Sequence, residues 1–261
     1  MQVKTKYVKL IIAAVTGYTT LKAARDDPRY IKSFLTHGNY KLTDFSEPDG
    51  IKARFAQFNL RALVTCPFAS EACKKFCYAK RDERYTNVVY SRNCSLEAAR
   101  GADFVERMIY TIETELCSGR YAGGIMLLRL HESGDFFNME YLKKWVDIAY
   151  HFIDVPELIN IHFYTKCSIY LLQLDADYKS KVNQLLEKNV LTVNLSIDNS
   201  MKADAISSIF ECKKLFPLIN TYAAVADVPA DDTRTICECE NCGKCRNCSK
   251  ADGKNVVVKI H

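Results

Sequence analysis

The chain lacks any apolar run long enough to cross a membrane or to act as a secretory signal. Its run at residues 10–15 covers six residues, whereas a signal core takes roughly 7 to 15 and a spanning helix about 20. Internal repeats, low-complexity tracts and a recognisable linker are also missing. These absences predict a cytoplasmic protein with one core, no membrane contact and reduced thiols.

The composition is that of an ordinary globular protein. With 261 residues, 48% of them hydrophobic and 26% charged, the chain can bury a substantial core. The formal net charge of +5 permits an anionic partner such as nucleic acid without requiring one. Twelve cysteines are present and they are clustered. Since thiolates are the soft ligands of zinc and iron–sulfur clusters, the clustering indicates metal ligation.

Short β-branched or aromatic segments alternate with helical ones along most of the chain. This order predicts an α/β fold with a parallel sheet, open or curled into a partial (β/α) barrel, and a C-terminal cysteine-rich cluster-binding insertion. We divide the chain into an N-terminal helical and loop segment (1–50), a β/α core (51–230) and a cysteine-rich segment with a closing strand (231–261). The predicted strands are 53–60, 125–130, 159–164, 191–197, 218–225 and 256–260, and the predicted helices are 7–24, 95–116, 139–152, 168–188 and 202–216.

Five cysteines lie within twelve residues near the C-terminus: Cys237, Cys239, Cys242, Cys245 and Cys248. From Cys239 onward they form three successive C-x-x-C steps, and each step lets a tight turn direct two sulfurs at one centre. Zinc sites usually separate their two C-x-x-C pairs by a longer stretch, so this run favours a 4Fe–4S cluster, with zinc as the alternative. The fourth ligand could be Cys237 or Cys239.

Cys66, Cys73 and Cys77 form another group directly after the first predicted core strand. Three thiolates bind a 4Fe–4S cluster while leaving one iron open to a substrate or cofactor. A fourth thiolate would close the site, and the candidates for it are Cys94, Cys117, Cys167 and Cys212. The neighbouring basic and aromatic residues could track a phosphate backbone, balance the cluster charge or simply be solvated; they are Lys74, Lys75, Tyr78, Lys80, Arg81, Arg84 and Tyr85.

Polar residues follow the predicted strands and should meet at the carboxyl edge of the sheet, where sites gather in parallel sheets. We predict His131, Asp135 and Lys166 as catalytic residues. His131 could carry a proton or act as a ligand, or it could be a satisfied histidine at a strand end. Asp135 could accept hydrogen bonds from a ligand ammonium group, or it could cap the next helix. Ser196 and Asp198 are candidates for binding ribose hydroxyls of a nucleoside cofactor, with ordinary turn chemistry as the alternative.

Motifs spread along the chain resemble those of the phage gene product 88 family over about residues 36–261. They are Gly38-Asn39-Tyr40-Lys41-Leu42, Phe58-Asn59-Leu60, Thr65-Cys66-Pro67, Cys73-Lys74-Lys75-Phe76-Cys77-Tyr78-Ala79, His131-Glu132-Ser133-Gly134-Asp135-Phe136, Tyr164-Thr165-Lys166, Cys242-Gly243-Lys244-Cys245-Arg246-Asn247-Cys248 and His261. This resemblance implies a phage protein that acts in the host cytoplasm, and it implies no particular activity.

The order of the motifs also resembles, more distantly, that of radical S-adenosylmethionine enzymes. Those are partial β/α barrels in which three cysteines after the first strand hold a 4Fe–4S cluster, and a Gly-Gly-Glu-like motif after the second strand contacts the cofactor's amino group. The resemblance implies S-adenosylmethionine binding by Ser133, Gly134 and Asp135. Phe76 before Cys77 matches an aromatic residue usual in that family, whereas the spacing C-x6-C-x3-C differs from the family's C-x3-C-x2-C.

Together these features predict a radical S-adenosylmethionine-like enzyme that acts on an unknown substrate, with nucleic acid or a nucleotide as one class, and that receives electrons from a reductant protein. The alternative is a non-catalytic module, stabilised by zinc or an iron–sulfur cluster, that binds nucleic acid or a host protein. The number of cysteines at the first site separates the two: three favour chemistry and four favour a structural role.

Overall fold

The computed structural model describes residues 21–30, 34–37, 44–46, 51–225, 235–237, 250–253 and 255–259. Its strands are β1 (Phe45–Ser46), β2 (Lys52–Phe58), β3 (Gly124–Leu130), β4 (Ile159–Thr165), β5 (Leu191–Ile197), β6 (Asn220–Val225), β7 (Thr235–Cys237) and β8 (Asn255–Lys259). They form one sheet in the order β1-β2-β3-β4-β5-β6-β8-β7. The central strands β2 to β6 are all parallel, β8 and β7 continue in parallel, and β1 is antiparallel to β2.

The helices are α1 (Leu21–Asp26), α2 (Glu71–Phe76), α3 (Tyr78–Asp82), α4 (Thr86–Arg100), α5 (Phe104–Leu116), α6 (Met139–His151), α7 (Ser168–Gln173), α8 (Ala176–Glu187) and α9 (Ala203–Leu215). The main core lies between the helices and one face of the sheet, where Met108 and Trp145 are buried with Met126, Leu128 and Ile161. Apolar residues recur at strand period 2 and helix period 3.6, so each element turns one face to this core. In the described part of the chain, no helix combines the length and the apolar character that crossing a membrane requires.

The predicted strands are confirmed, with bounds that differ by no more than two residues, but two predicted helices are wrong. The range 95–116 is divided between α4 and α5 because Gly101 ends α4, and glycine costs about 1 kcal/mol in a helix interior. The range 168–188 is divided between α7 and α8 because the Asp175 carboxylate accepts a hydrogen bond from the Tyr178 N–H and starts a new helix. Local capping therefore outweighs a continuous apolar pattern.

The opposite face of the sheet is polar across its centre, and it is buried. The strand residues on it are Asn160 and His162 in β4, Thr192 and Asn194 in β5, and Asn220 in β6. Asn220 Nδ2 donates to Asn194 Oδ1 at 3.0 Å, and Asn194 Nδ2 donates to the Phe163 carbonyl at 3.0 Å. Strands of parallel sheets are usually apolar on both faces, so this polar face is a distinguishing feature of the fold.

The predicted parallel sheet is confirmed, and its strands β2 to β6 follow one another in both chain and sheet. Within the described ranges, no pairing joins the β1 edge to the β7 edge. Curling into a partial barrel therefore stays a prediction. The cysteine-rich insertion falls mainly on residues 238–249, which lie outside the described residues.

Candidate metal and cofactor site

The loops that follow β2 and β3 are tied together at the carboxyl edge of the sheet. The strands end side by side, with Phe58 opposite Leu130. The Leu60 N–H donates to the Ser133 carbonyl at 2.9 Å, and Ser133 Oγ donates to the Leu60 carbonyl at 2.8 Å. The loop that carries the first cysteine group is thus fixed against the Ser133-Gly134-Asp135 loop, as the predicted site requires.

Gly134 makes this close approach of the two loops possible. Its φ is +89°, and a Cβ at this position would lie 2.6 Å from Thr65 Oγ1 and 2.7 Å from Leu60 Cβ. A side chain here would therefore be both strained and obstructed. Because Thr65 directly precedes Cys66, the glycine loop packs immediately beside the first cysteine of the group.

The cysteine loop also reaches across the sheet edge to the end of β5. Ser70 is the N-cap of α2, accepting from the Cys73 N–H at 3.2 Å, and its hydroxyl donates to Asp198 Oδ2 at 2.6 Å. The Ala72 N–H donates to Ser200 Oγ at 2.9 Å. Two bonds thus fix the position of α2, which carries Cys73, relative to the residues that follow β5.

Cys66, Cys73 and Cys77 are free, half-buried thiols. Burial raises the pKa of Cys66 to about 12, and negative charge on Asp135, Cys73 and Cys77 adds to the effect. Burial also raises the pKa of Cys73, while the positive charge of Lys166 opposes the change. Charges on Asp135, Cys73 and Cys77 thus act on Cys66, and the charge on Lys166 acts on Cys73, so these side chains are near enough to influence one another.

The first cysteine group is not arranged around a single ion. In the part of the chain that the structure describes, no three or more His, Cys, Asp or Glu side chains are placed to hold one metal ion. A ready-made single-zinc site on Cys66, Cys73 and Cys77 is therefore absent from the described residues.

Of the four isolated cysteines, Cys167 is one whose pKa is affected by a charge on a member of this group, Cys66. Burial raises its pKa well above the ordinary value, and charges on Asp135 and Cys66 contribute. Its Sγ donates to the Phe136 carbonyl at 3.3 Å. The other three are Cys212, which is buried and donates to the Ser168 carbonyl, and the half-buried Cys94 and Cys117. Cys167 is therefore the candidate for a fourth thiolate.

Asp135 is buried, and protein donors occupy both of its carboxylate oxygens. Oδ1 accepts from Thr165 Oγ1 at 2.7 Å and from the Phe136 N–H at 2.8 Å, and Oδ2 accepts from the Lys166 N–H at 3.1 Å. Burial raises its pKa, and these hydrogen bonds oppose the rise. The side chain thus ties the loop after β3 to the loop after β4, and its contact with a ligand ammonium group stays a prediction.

The alternative role of Asp135 as a helix cap is wrong. The N-cap of α6 is Asn138, whose side chain accepts from the Tyr141 N–H at 2.8 Å. Asn138 stands directly before the helix, whereas Asp135 lies three residues earlier and turns its carboxylate towards β4. The extra residues between the glycine turn and the helix leave Asp135 out of the capping position.

Asp198 connects the cysteine loop to Lys166 through a hydrogen bond with Ser70 and an ion pair with Lys166. Lys166 Nζ lies 2.9 Å from Asp198 Oδ2, and Ser200 donates to Oδ1 from both its N–H and its hydroxyl. Burial alone would raise the pKa of Asp198, but hydrogen bonds from Ser70, Lys166 and Ser200 outweigh it and lower the pKa to about 2. Ser196 is half-buried at the end of β5. Contact of Ser196 and Asp198 with a ribose stays a prediction.

His131 is buried directly after β3, with a positive φ of 60°. Its Nε2 shares a hydrogen bond of 2.9 Å with the Tyr141 hydroxyl, and its Nδ1 has no partner among the described residues. Burial lowers its pKa to about 3, so the imidazole is neutral near pH 7. A neutral ring can donate or accept a hydrogen bond here, and its role in catalysis stays a prediction.

Ser70 and Ser200 are not among the residues predicted from the sequence, and Thr165 is predicted only as a polar residue at the end of a strand, although all three position the site. Ser70 carries a usable signal, because a serine directly before Glu71 and a helix-forming stretch is typical of an N-cap. Thr165 and Ser200 act through contacts with Asp135 and Asp198 that are distant in the chain. Sequence spacing gives no signal for such contacts.

The second cysteine group lies almost wholly outside the described residues. Cys237 ends β7, where only its backbone is described, and Cys239, Cys242, Cys245 and Cys248 fall in the range that is not described. Metal binding by these five residues stays a prediction.

Comparison with known proteins gives one finding. The model of the family described as gene product 88 matches residues 18–251. No curated protein and no solved structure matches the chain. The resemblance to the phage family is thereby confirmed, whereas these comparisons add no support for the resemblance to radical S-adenosylmethionine enzymes.

Proposed function

We propose, for a chain that belongs to the gene product 88 family, that Cys66, Cys73 and Cys77 hold a 4Fe–4S cluster and that the protein is a radical S-adenosylmethionine-like enzyme. One observation carries the proposal. The loop with the three thiols follows the first parallel strand and packs, through the space left by Gly134, against the loop that follows the second. Sites of parallel α/β proteins lie at this edge.

The preference for a cluster over a single ion rests on the type and number of donors, three thiolates in one loop. Around a single zinc ion all ligands converge on one point, which these side chains do not do. In a 4Fe–4S cluster each thiolate ligates a different iron, so the sulfurs lie further apart. Three thiolates from one loop would leave one iron without a protein ligand.

The chain's own residues prepare the site in two ways. Lys166 places a positive charge beside Cys73 and opposes the effect of burial on that thiol, which favours the thiolate that metal binding requires. Ser70 and Asp198 fix the loop that carries Cys73. When bound, such a cluster supplies the electron with which enzymes of this class cleave S-adenosylmethionine and begin hydrogen abstraction from a substrate.

Two finer features belong to the same proposal. The polar and buried face of the sheet, with Asn160, His162 and Asn194, supports a curled sheet that encloses this face. The spacing of the cysteines between Cys237 and Cys248 supports a second cluster, or a zinc ion, that relays electrons or anchors the substrate.

The test is the response of the reduced, anaerobically purified protein to S-adenosylmethionine. We expect the cofactor to change the electron paramagnetic resonance signal of the reduced cluster, and a strong reductant to yield 5′-deoxyadenosine. Cys77→Ser should abolish both responses, and Cys94→Ser, which alters a thiol outside the group, should leave both intact. If the iron-loaded protein shows no change in its electron paramagnetic resonance signal when the cofactor is added, the proposal of a radical S-adenosylmethionine-like enzyme is wrong.

Cys167 supports a second candidate, a closed and structural metal site in a non-catalytic module. Its buried thiol interacts with Cys66 and could supply the fourth ligand. If it does, Cys167→Ser should lower the iron content as strongly as Cys77→Ser. An unchanged iron content in Cys167→Ser would rule this candidate out.

A further inference from the structure

Exposed aromatic side chains are concentrated around the first cysteine group. Within the described residues, eight large hydrophobic side chains are exposed, and six of them lie between residues 64 and 90: Val64, Phe68, Phe76, Tyr78, Tyr85 and Tyr90. Phe76 is 70% exposed and Tyr90 is 73% exposed. Single exposed apolar residues are normal, but such a concentration marks an interaction site.

The same stretch carries positive charges that have no carboxylate partner among the residues that the structure describes. Lys75, Lys80, Arg81 and Arg84 are exposed and form no ion pair with any described residue. The nearby Glu83 is not available to them, because Arg61 and Arg92 already bind its two carboxylate oxygens. The surface is therefore basic as well as aromatic.

Two of the exposed rings, Phe76 and Tyr85, lie beside a neighbouring cation. Lys75 Nζ lies 5.1 Å from the centre of the Phe76 ring. The Arg84 guanidinium lies 4.8 Å from the centre of the Tyr85 ring and donates to its hydroxyl at 2.8 Å. Each pair presents a flat ring beside a positive charge, the combination on which single-stranded nucleic acids stack and pair their phosphates.

We propose that this basic aromatic surface, formed by Phe76, Tyr78, Tyr85, Tyr90, Lys75, Lys80, Arg81 and Arg84, binds single-stranded nucleic acid. The cations match the phosphates, and the rings match base faces that only an unpaired strand exposes. A duplex would use the charges and leave the rings in water. None of these eight side chains is a proposed metal ligand, so binding to this surface does not depend on the metal.

The surface adjoins the candidate site. The Tyr78 hydroxyl donates to the Glu132 carbonyl at 2.8 Å, next to Ser133 and its loop. Cys77 separates α2 from α3, so Phe76 and Tyr78 flank a thiol of the group on both sides. If the proposed function holds, a strand on this surface lies beside the cluster and is a candidate substrate.

The test uses the full chain, purified anaerobically, and fluorescence anisotropy with a labelled thymidine homopolymer and a duplex of equal length. We expect the strand to bind more tightly than the duplex, and the affinity to fall with salt by a slope of about 0.7 per phosphate contact. Equal binding of strand and duplex would overturn the proposal.

Matched variants locate the binding on the surface. Phe76→Ala and Tyr90→Ala should each weaken binding roughly five-fold or more, the lower range for loss of one stacking partner. Phe210→Ala, on α9 and 59% exposed, should have no effect. The Lys80→Ala, Arg81→Ala double variant should reduce the salt slope by about 1.4, and Lys214→Ala should leave it unchanged.

Iron content and melting temperature of each variant complete the experiment. We expect both to match the parent, since the altered side chains are exposed. A Phe76→Ala variant that melts lower or loses metal, with unchanged binding, would show that the ring packs on the chain itself and would overturn the proposal. If the protein contains no iron but still binds single-stranded nucleic acid tightly, the nucleic-acid surface is supported and the proposed function is wrong.

Discussion

Two residues of the loop after β3, the buried His131 and the closely packed Gly134, determine how this loop lies at the carboxyl edge of the sheet. His131 follows β3 with positive φ, and Gly134 follows it three residues later, also with positive φ. Between them, Ser133 is bonded to Leu60 in both directions. The conformation of this loop is therefore stabilised by His131, Ser133 and Gly134 in different ways.

Acid should destabilise the protein through His131. In the folded state its pKa is about 3, whereas its ordinary value is 6.5. Below pH 6.5 His131 binds a proton in the unfolded chain but not in the folded chain. The free energy of unfolding therefore decreases as the pH falls towards 3. The loss is at most about 1.4 kcal/mol per pH unit, or roughly 2 kcal/mol between pH 6.5 and 5.

Urea unfolding at these two pH values tests this effect, with His131→Asn as the comparison. Asparagine tolerates the left-handed conformation at this position and carries no titrating proton. The variant should be less stable than the parent near pH 7 and should lose correspondingly less stability on acidification. The same pH slope in both proteins would contradict the account.

Gly134→Ala should destabilise the protein by roughly 1 to 3 kcal/mol, because a Cβ meets Thr65 and Leu60 and the backbone is left-handed. It should also lower the iron content, since the clash displaces the loop before Cys66. Gly119→Ala is the matched control, because a Cβ there meets nothing within 4 Å. Thermal unfolding and iron analysis of the two variants decide the matter, and equal behaviour would refute the packing argument.

At the scale of elements, α2 and β5 act as one unit although they are far apart in the chain. The hydroxyl of Ser70 joins the cap of α2 to Asp198. Asp198 in turn pairs with Lys166, which follows β4. The loop with Cys73 is therefore held by the ends of two strands other than the one that precedes it.

A double-mutant cycle on Ser70→Ala and Asp198→Asn should reveal this coupling. Each change alone should cost roughly 1 to 3 kcal/mol, and the pair should cost less than the sum by about 1 kcal/mol or more. Ser180→Ala, at an exposed serine in α8, is the control and should not couple to Asp198→Asn. Additive free energies of unfolding for Ser70→Ala and Asp198→Asn would show that the bond contributes nothing.

Alternating apolar residues make the core strands predictable from the sequence, and helix ends much less so. In β5 the apolar residues Leu191, Val193 and Leu195 alternate with polar ones, so the strand and its buried face follow from period 2. The polar residues of the same alternating pattern also indicated the polar face of the sheet, although this face was not predicted from the sequence. The predicted helices are interrupted at Gly101 and Asp175, and each interruption depends on a single capping residue. The apolar pattern continues across both positions and therefore gives no sign of the helix ends.

The candidate site divides in the same way. The chain order of the cysteine loop, Ser133-Gly134-Asp135 and Lys166 was enough to expect them at one sheet edge, because parallel strands end together. The partners of each side chain were not predictable. The carboxylates of Asp135 and Asp198 accept hydrogen bonds from residues distant in sequence. The spacing of residues along the chain does not indicate such contacts.

At the scale of the whole molecule, a sheet whose strands follow chain order collects residues from four loops at one edge. The first loop contributes three thiols, the second a glycine and a carboxylate, and the third and fourth an ion pair, Lys166 with Asp198. The outer surface of the first loop is basic and aromatic. This distribution, rather than any one motif, is the support for the proposed metal-dependent activity on an anionic partner.

Iron and sulfide analysis of anaerobically purified protein tests the central claim most directly. The parent should contain iron and acid-labile sulfide in equal amounts. The triple variant of Cys66, Cys73 and Cys77 to Ser should lose about four of each per chain, the content of one 4Fe–4S cluster. Cys94→Ser should lose none. A parent that contains stoichiometric zinc and no iron, or a triple variant with unchanged iron, would contradict the account.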